Sequence, residues 1–140
     1  MPIVIGVTLA IAVALFARVT GLDRDRAFYP VVTIVVASLY LLFAVLGGGG
    51  SILLVELVGA LVFIAAAVIG FKTSLWIVAA ALAGHGLFDA VHHRLIANPG
   101  VPEWWPPFCA SYDLAAGAIL AVLILADRRA GVSGSVARSA

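Results

Sequence analysis

The chain has 140 residues, of which 64% are hydrophobic and 11% charged, and its formal net charge is +1. Soluble domains carry about 25% charged residues. This composition therefore excludes a water-soluble fold and predicts an integral membrane protein whose solvent is the lipid bilayer. The small net charge and the lack of a basic run argue against a nucleic-acid partner.

The first apolar run, residues 2–17, predicts a short transmembrane helix that ends at Arg18. It lacks the positively charged start of a secretory signal peptide. Gly6, Ala10 and Ala14 recur every four residues. Such a small-residue stripe predicts a face on which another helix packs closely, and it offers a route to a homo-oligomer or a larger membrane complex.

A hydrophilic turn from Arg18 to Arg26 predicts the connection to the second span, residues 27–46. Asp23 or Asp25 is expected to cap that helix, because an acid is favourable at the positive N-terminal end. Pro30 falls in the first turn, where its missing N–H breaks no helical hydrogen bond.

Gly47–Ser51 contains four consecutive glycines and predicts a reversal of the chain. An engineered linker can have the same sequence, and a natural hairpin loop explains it equally well. The third span is predicted over residues 52–71 and the fourth over residues 75–97.

Asn98–Pro107 contains four prolines and is therefore expected to be non-helical, with Trp104 and Trp105 at the level of the lipid headgroups. The fifth span is predicted over residues 108–126. The small and polar residues 127–140 are expected to form a mobile cytoplasmic tail.

The predicted fold is thus an all-α bundle of five transmembrane helices in a single domain, with each span near the ~20 residues that cross a bilayer. The distribution of basic residues predicts an outside N-terminus and a cytoplasmic C-terminus, and hence a multi-pass protein of the cell (inner) membrane. Seven of the eight basic residues fall at the predicted cytoplasmic end: Arg18, Arg24, Arg26, Lys72, Arg128, Arg129 and Arg138.

The fourth span carries one acid and all three histidines of the protein within residues 85–93. At about 100° per residue, His85, Asp89, His92 and His93 fall on one arc of the helix. Ionisable side chains inside a membrane span are costly, so they indicate a functional site.

Matched depths add two acids from other spans. A rise of ~1.5 Å per residue puts Glu56 roughly 8 Å and Asp113 roughly 6 Å outward from the centres of their spans. Asp89 lies roughly 5 Å and His92 roughly 9 Å outward by the same rise. The predicted ligand-binding or proton-handling residues are therefore Glu56, His85, Asp89, His92 and Asp113.

Carboxylates and imidazoles favour a divalent transition metal such as zinc, with His85, Asp89 and His92 as predicted ligands. The same groups could instead pass protons, since imidazole titrates near neutrality. The spacing His-x3-Asp-x2-His-His lacks the diagnostic value of His-Glu-x2-His.

Simpler structural explanations stay open for each residue. His92 and His93 lie close to the end of the span and, with Arg94, could face the lipid headgroups. Glu56 could hydrogen-bond a neighbouring helix, and Asp113 could complement the positive end of its own helix. His85 and Asp89 could form a private pair within one helix. Cys109 is expected to be an inert packing residue.

Three functions fit these features. The leading hypothesis is that the bundle binds or transports a cation or small polar ligand in an outward-facing pocket. The second is a membrane-embedded enzyme acting on a lipid-like substrate, with a metal or a His–Asp pair as general base. The third is a structural or accessory subunit in which the polar cluster holds helices together.

Overall fold

The computed structural model describes the backbone of residues 1–136 and the side chains of residues 1–129; residues 137–140 lie outside the described part. The predicted all-α architecture is confirmed: within the described part there are five helices long and apolar enough to cross a membrane, and no strands. The helices are α1 (Pro2–Thr20), α2 (Phe28–Leu46), α3 (Ser51–Lys72), α4 (Leu75–Leu95) and α5 (Trp105–Val136).

The outer surface of the bundle is covered by large apolar side chains. On α3, Leu54 and Val58 are each 65% exposed and Leu61 is 53% exposed. In water this surface would be strongly unfavourable, whereas in a bilayer it contacts acyl chains at no hydrophobic cost. The surface therefore supports a multi-pass membrane protein.

Within the bundle, α5 packs against both α4 and α1, and α2 packs against α3. Gly6 and Ala10 of α1 are buried. A Cβ on Gly6 would collide with the Phe108 carbonyl and the Ser111 hydroxyl of α5. The predicted small-residue face thus packs against α5 of the same chain, and self-association stays a prediction.

The start of α5 differs from the expectation. The helix begins at Trp105, so Pro106 and Pro107 occupy its first turn. Their missing N–H groups cost nothing there because the first helical N–H groups have no partner within the helix. The expected non-helical segment therefore ends at Trp104.

The far end of α5 also extends beyond the predicted limit at residue 126. The helix continues to Val136, so residues 127–136 of the expected mobile tail are helical. The remaining tail residues, 137–140, lie outside the described part.

The turn between α1 and α2 contains a short 3-10 helix, Leu22–Arg24. The Asp25 carboxylate accepts a hydrogen bond from the backbone N–H of Ala27 at 3.0 Å, just before α2. Asp23 instead pairs with Arg18 at 3.0 Å. Neither acid caps α2 with its side chain: the N-cap residue is Ala27, and Asp25 accepts only from the N–H of that residue.

The loop after α4 is held onto the bundle by one buried side chain. Asn98 donates a hydrogen bond from Nδ2 to the Tyr40 carbonyl oxygen of α2 at 3.3 Å. The Asn98 Oδ1 atom accepts from the backbone N–H of Gly100 at 3.1 Å. These bonds hold the loop against the end of the bundle at which α4 ends.

Candidate functional site

The polar face of α4 points into the protein. His85, Asp89 and His92 are each at most 1% exposed, whereas the neighbouring His93 is exposed. Three of the four residues on the predicted arc therefore form a buried stripe, and His93 does not belong to it. Polar groups at such positions need partners from other helices.

Glycines bring α4 and α5 close enough for short side chains to meet. A Cβ added to Gly86 of α4 would lie 2.8 Å from the Ala110 carbonyl oxygen of α5. A Cβ added to Gly117 of α5 would lie 3.0 Å from the Ala79 carbonyl oxygen of α4. Small residues at both positions are what allow this backbone contact.

Four side chains meet across this contact, and we call them the α4–α5 cluster: His85, Asp89, Cys109 and Asp113. His85 Nδ1 lies 2.6 Å from Asp113 Oδ2 and 3.5 Å from Asp89 Oδ2. The Cys109 thiol lies 3.7 Å from Asp113 Oδ2. One potential ligand atom from each residue lies within 4.8 Å of all the others.

Three carboxylate oxygens of the cluster have no hydrogen-bond partner among the described residues. Asp89 is fully buried, yet neither of its carboxylate oxygens has a hydrogen-bond partner among the described residues. Asp113 Oδ1 is likewise buried and without such a partner. Buried polar atoms are nearly always hydrogen-bonded, so these three oxygens make the cluster a candidate site for a further group.

The donor set fits a borderline transition metal. One imidazole nitrogen, one thiolate sulfur and two carboxylate oxygens match the ligands that Zn²⁺ takes in tetrahedral sites. Mg²⁺ and Ca²⁺ prefer oxygen ligands alone, so the thiol and imidazole disfavour them. Each helix supplies two ligands four residues apart, a spacing that puts both on one face.

A second polar group lies nearer the end of α4. Glu56 Oε1 accepts hydrogen bonds from His92 Nε2 at 2.9 Å and from Asn98 Nδ2 at 2.8 Å. The Tyr40 ring stacks on the His92 ring at a centroid distance of 3.9 Å and an angle of 18°. We call Glu56, His92 and Asn98 the Glu56–His92 group.

The five predicted site residues are all buried, and they fall into these two groups rather than one. Asp113 joins His85 and Asp89, as the matched depths predicted. Glu56 and His92 pair with each other instead. His92 was predicted to share a metal with His85 and Asp89, but the residue that lies with them is Cys109.

Sequence reasoning assigned Cys109 to packing and did not identify Asn98. The available signal for the cysteine was spacing: Cys109 precedes Asp113 by four residues, as His85 precedes Asp89. Two such pairs on consecutive spans present matching faces. Asn98 gave no comparable signal because it stands at the start of a proline-rich loop.

A cavity of about 920 Å³ lies beside the second group. Its wall includes His92 and Asn98, residues of the loop after α4, the first turns of α5, and Ile3 of α1. None of the four residues of the α4–α5 cluster lines it. The α4–α5 cluster is therefore enclosed by the bundle, whereas the Glu56–His92 group borders the cavity.

Comparisons of the chain with protein-family models, with curated proteins and with solved structures found no match. The function is therefore argued from the geometry of these two groups.

Proposed function

We propose that this membrane protein binds a divalent transition-metal cation of the zinc type in the α4–α5 cluster. The observation that carries the proposal is Asp89: it is fully buried within a transmembrane helix, and neither of its oxygens has a hydrogen-bond partner among the described residues, His85 being 3.5 Å away. The other three potential ligand atoms lie within 4.8 Å of it and of one another. A bound cation would satisfy the unpartnered oxygens.

The charge balance of the cluster supports a cation. Asp89 and Asp113 are both buried, and the basic side chain that pairs with them is His85 alone among the described residues. A buried carboxylate needs a positive partner to offset the loss of hydration. A divalent cation supplies that charge and matches the donor atoms.

The closed surroundings of the cluster favour binding or transport of the cation over catalysis on a lipid-like substrate. A molecule in the 920 Å³ cavity would not contact any of the four cluster residues, because none of them forms its wall. Movement of the cation through the bilayer would require α4 and α5 to separate locally.

Metal analysis of the purified protein tests the proposal. We expect the wild-type protein in detergent to bind Co²⁺ or Zn²⁺ stoichiometrically, and His85→Ala to lose that metal. His93→Ala is the matched control, because His93 lies on the same helix but is exposed. With Co²⁺, Cys109→Ser should also abolish the thiolate-to-metal absorption band. A wild-type protein that takes up neither metal would overturn the proposal.

We also propose the orientation with the N-terminus outside and the C-terminus cytoplasmic, in the cell (inner) membrane. The basis is the predominance of basic residues at the end of the bundle that carries the α1–α2 and α3–α4 turns. The 920 Å³ cavity would then face outward.

Cysteine labelling in a Cys109→Ala background checks the orientation. An impermeant reagent applied to intact cells should label cysteines introduced at Gly49 and Val101, and it should not label one at Thr73 until the cells are opened. Thr73 is exposed and lies between α3 and α4. Labelling at Thr73 alone in intact cells would show the opposite orientation.

A further inference from the structure

We propose that the 920 Å³ cavity binds a long-chain lipid with a free hydroxyl group, and that His92 accepts the hydrogen bond from that hydroxyl. The proposal does not depend on metal binding, because the α4–α5 cluster does not line the cavity. The volume is near the upper end of the roughly 300–1,000 Å³ that is usual for small-molecule sites.

The polar end of the cavity is built by the Glu56–His92 group. His92 is 1% and Asn98 9% exposed, and both side chains belong to the cavity wall. His92 Nε2 donates its hydrogen to Glu56 Oε1 at 2.9 Å. In the neutral imidazole, Nδ1 then carries the lone pair and acts as an acceptor.

The hydrogen-bond pattern leaves that acceptor available to a ligand. No described residue makes a hydrogen bond to His92 Nδ1, whereas Nε2 is occupied by Glu56. The Tyr40 ring, stacked at 3.9 Å, and the Phe88 ring, edge-on at 5.4 Å, hold the imidazole in one orientation. A ligand that donates a hydrogen bond, such as a hydroxyl, is the complementary partner.

The rest of the cavity is suited to a hydrocarbon chain. Its wall is largely apolar, with Ile96, Val101 and Pro106 among its residues. Ile3 and Leu114 also line it, and they are 58% and 42% exposed on the outer surface of transmembrane helices. The cavity therefore borders the surface that faces lipid, and a chain can enter from the bilayer.

Charge selects a neutral head group over an anionic one. The carboxylate of Glu56 lies 2.9 Å from His92 Nε2, and Glu103 contributes an acid to the cavity wall, which His93 also lines. A fatty-acid carboxylate or a phosphate would be repelled by both acids. A lipid alcohol or a glycerol ester with a free hydroxyl has no charge to repel.

The test is photolabelling of the full chain in nanodiscs with a diazirine-bearing hexadecanol, followed by peptide mapping. We expect labels on cavity residues, and competition by hexadecanol that is stronger than by hexadecane or palmitate. Since a hydrogen bond is worth about 1 kcal/mol net, the preference for the alcohol over the alkane should be roughly fivefold. Equal competition by alcohol and alkane, or stronger competition by palmitate, would overturn the proposal.

His92→Phe retains an aromatic ring for Tyr40 to stack on but removes the acceptor, so the alcohol should lose its advantage over the alkane. His93 also lines the cavity but makes no hydrogen bond to Glu56, so His93→Phe should keep the preference. Loss of the preference in His93→Phe rather than in His92→Phe would overturn the role given to His92. As a second variant, Ala90→Phe places a large side chain in the cavity wall at an exposed position. It should suppress labelling of the cavity by the diazirine-bearing hexadecanol; wild-type labelling of Ala90→Phe would show that the lipid binds elsewhere.

Discussion

Replacing Asp89 with asparagine is expected to abolish metal binding while the bundle stays folded. The amide has the size of the carboxylate but no negative charge, so it is a poor ligand for a divalent cation. Loss of a group that merely supports a metal ligand costs about 10–100-fold in affinity. We therefore expect a loss of at least roughly 100-fold for this direct ligand, measured by Co²⁺ titration beside thermal unfolding in detergent.

Two further variants separate a metal ligand from a structural contact. Asp127→Asn makes the same change at an exposed position of α5 and should leave both measurements unchanged. If Asp89 only stabilises helix packing, Asp89→Leu should cost about 1 kcal/mol of stability, the scale of interhelical hydrogen bonds. Wild-type metal affinity in Asp89→Asn would contradict the assignment of this residue as a ligand.

The five helices were predictable because each apolar run is as long as a bilayer is thick, and the glycines and prolines stand between the runs. The exact ends of the helices were harder to predict. Pro106 and Pro107 exclude a helix interior but not a first turn, and α5 accordingly begins at Trp105. Residues 127–136 are small and polar, yet they continue α5. The end of an apolar run marks where the chain leaves the bilayer, and a helix can continue past that point.

The contact between His85 and Asp113 was predictable because depth follows from counting residues along adjacent spans. Rotation about each helix axis does not follow from depth. On an almost uniformly apolar helix such as α3, the sequence marks no buried face except Glu56 itself. The pairing of Glu56 with His92 rather than with Asp89 is decided by how α3 packs on α2 and α4, which the pattern of residues does not contain.

Gly86→Ala is expected to lower both the stability of the bundle and the metal affinity of the α4–α5 cluster. The added Cβ would lie 2.8 Å from the Ala110 carbonyl oxygen and 3.1 Å from a Leu114 side-chain carbon. Backbone at that distance cannot move aside without separating α4 from α5. Overpacking of this kind typically costs about 1–3 kcal/mol.

Gly84→Ala is the matched control, two residues earlier on the same helix. Its added Cβ would lie 3.8 Å from the Phe63 ring, an ordinary contact. Both variants gain the same intrinsic helix preference of alanine over glycine, about 1 kcal/mol, so their difference in unfolding free energy measures the steric cost alone. Separation of the helices would also pull His85 and Asp89 away from Cys109 and Asp113, so Gly86→Ala should bind Co²⁺ more weakly than Gly84→Ala. Equal metal affinity in the two variants would mean that the cluster does not depend on the close approach of α4 and α5.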